Sequence, residues 1–286
     1  MRKVAVVVDS IACLTKGQVE EHGITVMPLN FYHGGKLYRD WVDVTPSEAY
    51  ELFLQDPESF KTSSISPGDV IETYRKVSEQ AEGILCITVS SRLSAVYNAA
   101  LDAREMVKEE LPGVSIEVLD SLNCTAAEGF IALAAARAAT EGGSLAEVTA
   151  AARDMMKRVR FLVFLDTIRH VYRSGRIPKV ASQVGSALNV KPILTMSPPG
   201  VLRFLGVARS RKSGVERLLK TMRRELGTGP AHIAVMHAYA PEEAEELRER
   251  IASEFCCAEL WVTEFSPLMG YSCGTGTLGV AFYHEG

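Results

Sequence analysis

Hydroxyl side chains that directly follow an apolar segment are the residues of this sequence best suited to chemistry. The apolar run 84–89 leads into Ser90-Ser91-Arg92-Leu93-Ser94, and a segment with helical spacing follows. A run that is apolar at every position is typical of a buried parallel strand, and parallel sheets bind ligands beyond the carboxyl ends of their strands. The N-terminus of the following helix adds free N–H groups and a partial positive charge. The arrangement therefore predicts a site for a small anion.

The same pattern recurs at three further places in the first half of the chain. Two apolar runs end in Asp9-Ser10 and Asp120-Ser121, and Thr62-Ser63-Ser64 precedes another helical pattern. If the four segments share one edge of a sheet, their hydroxyls form a site for a carboxylate or phosphate without a buried counter-charge. For any one hydroxyl by itself, helix capping is the better interpretation, and an aspartate beside serine at a strand end is more often an Asx cap. Neither interpretation excludes the other.

A cysteine in a glycine-rich segment is the second candidate for chemistry. Cys273 lies within Gly270–Gly276, which the pattern predicts to be a loop between strands, and a nucleophilic role would require His237 or His284 as the base. The segment lacks the lysine and the helix spacing of a phosphate-binding P-loop. A cysteine between glycines is more often a small loop residue than a nucleophile, so catalysis is the weaker interpretation.

Composition and charge disfavour several classes of protein. The 286 residues carry a net charge of −4, and no apolar run approaches the length of a transmembrane helix. The cysteines lack the spacing of a zinc site or a disulfide framework, and the histidines lack metal-ligand spacing. We therefore expect a cytoplasmic protein with no metal, no cofactor and no stable insertion in a membrane.

Basic residues are concentrated in one stretch, residues 167–212, which contains nine lysines and arginines and no acid. Tyr172 and Phe204 are its only aromatic residues, which is too few for base stacking, so a nucleic-acid partner is disfavoured. We interpret the stretch as a docking surface for an acidic or phosphate-carrying partner, with a solvated face as the alternative.

The order of the predicted elements indicates an α/β fold in two domains. Up to about residue 160, strand patterns alternate with helical patterns, which is typical of a mostly parallel sheet flanked by helices. Beyond it, residues 191–196 and 201–205 predict an antiparallel hairpin after a short helix at 181–188, so the second sheet is expected to be mixed. The predicted domains are an N-terminal α/β domain, residues 1–160, and a C-terminal α/β domain, residues 161–286.

Eight motifs, taken in chain order, resemble those of the DegV family over nearly the whole chain. They are Asp9-Ser10, DVTPSE at 43–48, Thr62-Ser63 with SPGD at 66–69, SSRLS at 90–94, Asp120-Ser121, SGRI at 174–177, KPIL at 191–194 and GTGTLG at 274–279. The resemblance implies a bacterial two-domain α/β protein that binds a long-chain fatty acid such as palmitate between its domains. The best understood members are the fatty-acid-binding subunit of a fatty acid kinase, whose other subunit holds ATP.

The resemblance also implies roles for individual residues. Thr62 and Ser94 match the two hydroxyls that hold the fatty-acid carboxylate in the family, and Ser63 is a neighbour in the same network. The segment around Arg173 and Arg176 resembles the region that docks the kinase subunit. The acyl tail would require an apolar tunnel, for which the candidate walls are the alanine-rich segment 125–140 and the apolar residues of 161–168 and 184–194.

The chain departs from the family in its C-terminal motif. Ser272 stands where most members have His, and Gly-Thr-Gly at 274–276 replaces Gly-Pro-Gly. The departure leaves fatty-acid binding as the expectation and gives phosphoryl transfer less support.

Two functions of different classes follow from these patterns. The first hypothesis is a non-catalytic binding protein for a long-chain fatty acid. The second is a small hydrolase or acyl transferase that uses Cys273 or Ser94 as its nucleophile. A nucleic-acid regulator that uses the basic stretch is a third and weaker hypothesis.

Overall fold

The structure is a computed structural model that describes residues 2–167, 175–176 and 190–285. Its strands are β1 (Arg2–Asp9), β2 (Thr25–Met27), β3 (Asn30–His33), β4 (Lys36–Arg39), β5 (Lys61–Ser63), β6 (Ala81–Thr88), β7 (Ser115–Asp120), β8 (Arg160–Phe164), β9 (Lys191–Ser197), β10 (Val201–Ala208), β11 (Ala231–His237), β12 (Cys257–Glu264) and β13 (Leu278–His284). Its helices are α1 (Lys16–His22), α2 (Pro46–Gln55), α3 (Pro67–Ser78), α4 (Val96–Val107), α5 (Thr125–Thr140), α6 (Leu145–Arg158), α7 (Arg211–Leu226), α8 (Pro241–Glu254) and α9 (Pro267–Cys273).

Apolar strands of the first half form a parallel sheet in the order β2-β1-β6-β7. Each neighbouring pair is parallel, as the alternation of strand and helix patterns predicts. The register places Val8 opposite Ile87 and Thr88 opposite Asp120. The carboxyl ends of β1, β6 and β7 therefore lie at one edge, and this edge carries three of the four hydroxyl-bearing segments.

The fourth hydroxyl-bearing segment lies on a separate antiparallel sheet of order β4-β3-β5. Thr62 on β5 pairs with Phe31 on β3. Phe31 is fully buried, and its ring stacks on that of Phe60 with 4.6 Å between centroids. Phe60 in turn stacks on Tyr271 of α9 at 6.0 Å. This aromatic stack joins the small sheet to the C-terminal part of the chain and so positions Thr62.

The second half of the chain forms a mixed sheet in the order β10-β9-β8-β13-β11-β12. Strands β11 and β12 are parallel, and the other neighbours are antiparallel. The predicted hairpin is confirmed as β9 and β10, which pair through a short turn at 198–200. The fold class is therefore α/β with one parallel and one mixed sheet, as predicted.

Helix α5 is the alanine-rich segment, and it is packed into the core on nearly every side. It packs against both β1 and β13, which belong to different sheets. Small side chains permit this close approach, since a Cβ at Gly129 would lie 2.6 Å from the Ala12 carbonyl oxygen. One apolar cluster runs from Val4 to Tyr283 through both halves of the chain. The division at residue 160, where β8 begins, stays a prediction.

The predicted loop Gly270–Gly276 is wrong in its first part, because residues up to Cys273 belong to α9. The Ser266 hydroxyl accepts from the Leu268 N–H, and Pro267 occupies the first turn, where its fixed φ favours a helix. Gly270 is required for packing rather than for a turn, since a Cβ there would collide with the Tyr50 ring. Of the predicted loop, only residues 274–276 lie outside α9, and together with Thr277 they form the connection to β13.

Three further expectations concern a predicted helix, membrane spans and the cysteines. The predicted helix near 181–188 lies outside the described residues. Of the helices in the described ranges, none has both the length and the hydrophobicity needed to cross a membrane. The six cysteines are all free thiols.

Candidate functional site

A cavity with a volume of about 180 Å³ lies where the carboxyl edge of the parallel sheet meets the mixed sheet and α9. Its wall is largely apolar, because alternate residues of β8 (Phe161 and Val163) and the following Leu165 share the strand face that lines it. Leu194 of β9 and Leu202 of β10 extend that wall. The rest of the apolar lining comes from Ile11, Leu29, Val89, Leu93, Phe265, Leu268 and Met269.

Hydroxyl groups from two separate elements also line this cavity. Thr62 and Ser63 come from β5, and Ser94 comes from the turn before α4. Thr62 and Ser94 are half-buried, and neither side chain has a hydrogen-bond partner among the described residues. The Ser63 hydroxyl donates to the Ser64 carbonyl oxygen at 3.2 Å. The structure thus brings together the three hydroxyls predicted as ligand-binding residues.

The capping interpretation is wrong for Ser94 and correct for other residues. The N-cap of α4 is Ala95, and no side chain caps this helix. Ser66 does cap α3, with its hydroxyl accepting from the Asp69 N–H at 3.2 Å. The first N–H groups of α4 therefore lie beside Ser94 without a capping side chain, which favours a nearby anion.

The loop that carries Ser94 is held by residues behind the cavity. Val89 N–H donates to the Asp9 carboxyl at 2.8 Å, and Ser91 N–H donates to the Asp120 carboxylate at 3.2 Å. Ser90 is fully buried and donates its hydroxyl to the Gly200 carbonyl oxygen at 2.7 Å. These side chains do not line the cavity, so their role is to hold the loop rather than to contact an anion.

Three carboxyl groups are fully buried near this sheet edge: Asp9, Asp40 and Glu128. Burial raises the pKa of Asp9 to about 7, against the opposing hydrogen bonds from Val89 and Ile11. Burial likewise raises the pKa of Asp40 to about 6. Burial, then the nearby Asp9 and Asp120, raises the pKa of Glu128 well above its usual range. No carboxylate is among the described residues that line the cavity, whereas Arg176 is.

Of the two residues predicted to dock a partner, the structure describes only one, and their docking role stays a prediction. Arg176 is exposed, lines the cavity and donates from Nε to the Leu93 carbonyl oxygen at 3.4 Å. Arg173 lies outside the described residues. The positive charge of the basic stretch is partly balanced by an acid that lies just outside it in sequence. Asp166 Oδ1 lies 2.6 Å from Lys191 Nζ and 3.5 Å from Arg211 Nη2.

The geometry does not support Cys273 as a nucleophile. Its thiol is buried, and burial raises its pKa to about 12. Burial lowers the pKa of His237 to about 4, and its Nδ1 accepts from the Ala240 N–H at 3.2 Å. His284 contacts the Glu285 carbonyl oxygen at 3.3 Å. In the described part of the chain, neither histidine hydrogen-bonds to Cys273 or Ser94.

The tunnel stays a prediction, and its candidate walls lie in different places relative to the cavity. Residues of 161–165 and Leu194 line the cavity, whereas the alanine-rich segment of α5 does not. A helix that is apolar on every side is typically enclosed by other elements of the core. This all-round apolar pattern distinguishes α5 from a helix that lines a tunnel with one face. Residues of 184–189 lie outside the described ranges.

Sequence reasoning missed several residues that the structure brings to the site. Ile11 comes from the turn after β1, and Phe265 and Leu268 come from the region of α9. Ser272, already identified from the sequence as standing where most family members have His, also lines the cavity, and its hydroxyl lies 3.5 Å from the Leu268 carbonyl oxygen. The one sequence signal that could have identified Ile11 is its position: it is an apolar residue that follows a strand ending in aspartate.

No metal site is evident in this region. Among the described residues, no cluster of three or more histidine, cysteine, aspartate or glutamate side chains has the arrangement of a metal centre.

The chain is similar to known proteins in both sequence and fold. Residues 3–285 match the model of the DegV family, described as an uncharacterised protein family. A DegV domain-containing protein of Streptomyces coelicolor is 34% identical over 281 residues, which is 98% of each chain. The fatty-acid-binding DegV family protein of Thermus thermophilus superposes with a TM-score of 0.89 at 28% identity, and DegV, a fatty acid binding protein of Bacillus subtilis, with 0.90 at 27%. Both alignments cover 100% of each chain. The chain therefore belongs to the DegV family.

Proposed function

We propose that this protein binds a long-chain fatty acid, with the carboxylate on the hydroxyls of Thr62 and Ser94 and Ser63 close by. One observation carries the proposal: two hydroxyls without partners among the described residues line an apolar cavity whose described lining contains no carboxylate. The similar proteins of Thermus thermophilus and Bacillus subtilis are described as fatty-acid-binding, which supports the same ligand class.

The energetic terms assign different roles to the two parts of the ligand. A hydrogen bond to a charged group contributes about 1.5–3 kcal/mol, and each buried methylene contributes about 0.8 kcal/mol. A long tail therefore supplies most of the affinity, and the hydroxyls orient the carboxylate. The uncapped N-terminus of α4 adds a partial positive charge beside Ser94.

Extraction of the purified protein followed by mass spectrometry tests the ligand class, and titration with palmitate or oleate tests the site. Thr62→Ala and Ser94→Ala are each expected to weaken binding about tenfold, since each removes one hydrogen bond to a carboxylate. Ser78→Ala is the matched control, because Ser78 is also half-buried and donates its hydroxyl to the Arg75 carbonyl oxygen at 2.6 Å, away from the cavity. Absence of a co-purified fatty acid together with no thermal shift on adding palmitate or oleate would contradict the proposal.

The proposal includes a separate kinase subunit that phosphorylates the bound acid, so this chain acts as a cytoplasmic binding protein rather than as an enzyme. Among the described residues, no histidine or carboxylate hydrogen-bonds to the Cys273 thiol or the Ser94 hydroxyl, which supports this division of labour. The docking region would include Arg173 and Arg176. With the kinase subunit present, Arg173→Ala is expected to slow phosphorylation and to leave fatty-acid affinity unchanged. Acyl-phosphate formation from ATP by this chain alone would overturn this part of the proposal.

A further inference from the structure

We propose that Ser90 is a positioning residue, which ties the loop that presents Ser94 to the β9–β10 hairpin on the other side of the cavity. This inference rests on the proposed function, because it assigns Ser90 a role in orienting the carboxylate-binding hydroxyl.

Ser90 and Ser94 are directly connected through backbone hydrogen bonds. The Ser90 carbonyl oxygen accepts hydrogen bonds from Leu93 N–H at 2.9 Å and from Ser94 N–H at 3.1 Å. A displacement of the Ser90 backbone therefore moves Ser94 with it. The Ser90 N–H is itself held by the Asn123 carbonyl oxygen at 2.8 Å.

The Ser90 side chain also forms a hydrogen bond to the β9–β10 hairpin of the mixed sheet. Its hydroxyl donates to the Gly200 carbonyl oxygen at 2.7 Å, over a separation of 110 residues. Gly200 precedes β10, whose Leu202 lies in the apolar wall of the cavity. One hydroxyl thus joins the loop that carries the head-group contact to the hairpin that carries part of the tail contact.

Gly200 fits closely against the loop that carries Ser90. Its φ is +92°, a conformation that glycine adopts readily and other residues do not. A Cβ at this position would collide with Ser90 Oγ and would lie 3.1 Å from Leu122 Cα. The turn therefore approaches the Ser90 loop as closely as a backbone can, and the contact leaves no space for a side chain.

A double-mutant cycle on fatty-acid affinity tests this role. If Ser90 acts through Ser94, Ser90→Ala weakens binding about fivefold when Ser94 is present and less than about twofold in the Ser94→Ala background, since residues that act through one another are not additive. Gly200→Ala is expected to reproduce the pattern because it displaces the Ser90 hydroxyl. Tyr74→Phe is the matched control: it removes a buried hydroxyl that donates to the Ala100 carbonyl oxygen at 3.2 Å and lies outside the cavity lining.

Amide hydrogen exchange without ligand provides the second measurement. Ser90→Ala is expected to speed exchange at residues 91–95, and Tyr74→Phe is not. Equal weakening by Ser90→Ala in both backgrounds, or an exchange pattern like that of Tyr74→Phe, would overturn the inference. If the wild-type protein binds no fatty acid, the proposed function fails, while the exchange rates still decide whether Ser90 positions the loop.

Discussion

Two groups of polar residues near the same sheet edge differ in burial and in partners. The hydroxyl rim consists of Thr62, Ser63 and Ser94, and the buried carboxyls are Asp9, Asp40 and Glu128. The hydroxyl rim is half-buried and lines the cavity. The buried carboxyls are completely inaccessible and do not line it.

The difference reflects the cost of burying each group. A neutral hydroxyl at a half-open site retains access to solvent, so it can remain available for a ligand. A buried carboxylate is costly unless backbone N–H groups or hydroxyls compensate it. Asp9 accepts from Val89 and Ile11, and Asp40 accepts from the Ser266 hydroxyl at 2.6 Å. The comparison supports the proposal that the hydroxyl rim binds the ligand, and it shows that Asp9 holds the loop that leads to Ser94.

The largest expected effect separates the two groups by stability. Asp9→Ala leaves the buried N–H groups of Val89 and Ile11 without acceptors, so the free energy of unfolding is expected to fall by about 3 kcal/mol. Thr62→Ala removes no hydrogen bond between described residues and is expected to change it by less than about 1 kcal/mol. Urea denaturation followed by circular dichroism measures both. Equal losses in the two variants would contradict the comparison.

The second prediction uses the pKa of Asp9, which burial raises from 3.8 to about 7. The folded state then holds this proton more tightly than the unfolded chain, so the stabilisation is complete below about pH 4 and is lost as the pH rises to 7. Asparagine does not titrate. Between pH 5 and pH 8, the unfolding free energy of the wild type relative to Asp9→Asn is therefore expected to fall by about 2–3 kcal/mol.

Measuring the difference between two variants matters here because His237 titrates in the same range. Burial lowers its pKa from 6.5 to about 4, so its contribution to stability is lost as the pH falls. That term is common to the wild type and Asp9→Asn and cancels in the difference. A difference that is constant with pH would show that the pKa of Asp9 is not raised.

The smallest expected effect concerns Glu128 on α5. Neither of its carboxyl oxygens has a hydrogen-bond partner among the described residues, and both are buried. Glu128→Met has a similar shape and removes the buried polar atoms, so the free energy of unfolding at pH 7 is expected to rise by about 1 kcal/mol. Glu128→Gln keeps polar atoms there and is the control, with no gain expected. A loss of stability in Glu128→Met would show that the carboxyl supports the fold.

Local patterns in the sequence were sufficient for most elements. Ser144 and Glu147, three residues apart, have the spacing of a capping box, and α6 begins there. The β9–β10 hairpin was also predicted from neighbouring residues. The prediction of a loop at Gly270 is wrong because glycine permits both a turn and a close approach of two elements. The residue it packs against, Tyr50, is distant in sequence, so local patterns do not distinguish the two.

The sequence alone determined the hydroxyl candidates, the α/β fold class and the family resemblance, because hydrophobic periodicity, caps and motifs act over short spans of chain. Only the tertiary structure decided which hydroxyls are available. Ser90 and Ser94 are both serines of the same loop, and the sequence does not distinguish them. In the structure, the Ser90 hydroxyl donates a hydrogen bond to the carbonyl oxygen of Gly200, 110 residues away. Ser94 is left beside an uncapped helix and an apolar cavity. Whether a polar group is satisfied depends on partners from distant segments, and these meet only when the sheets pack.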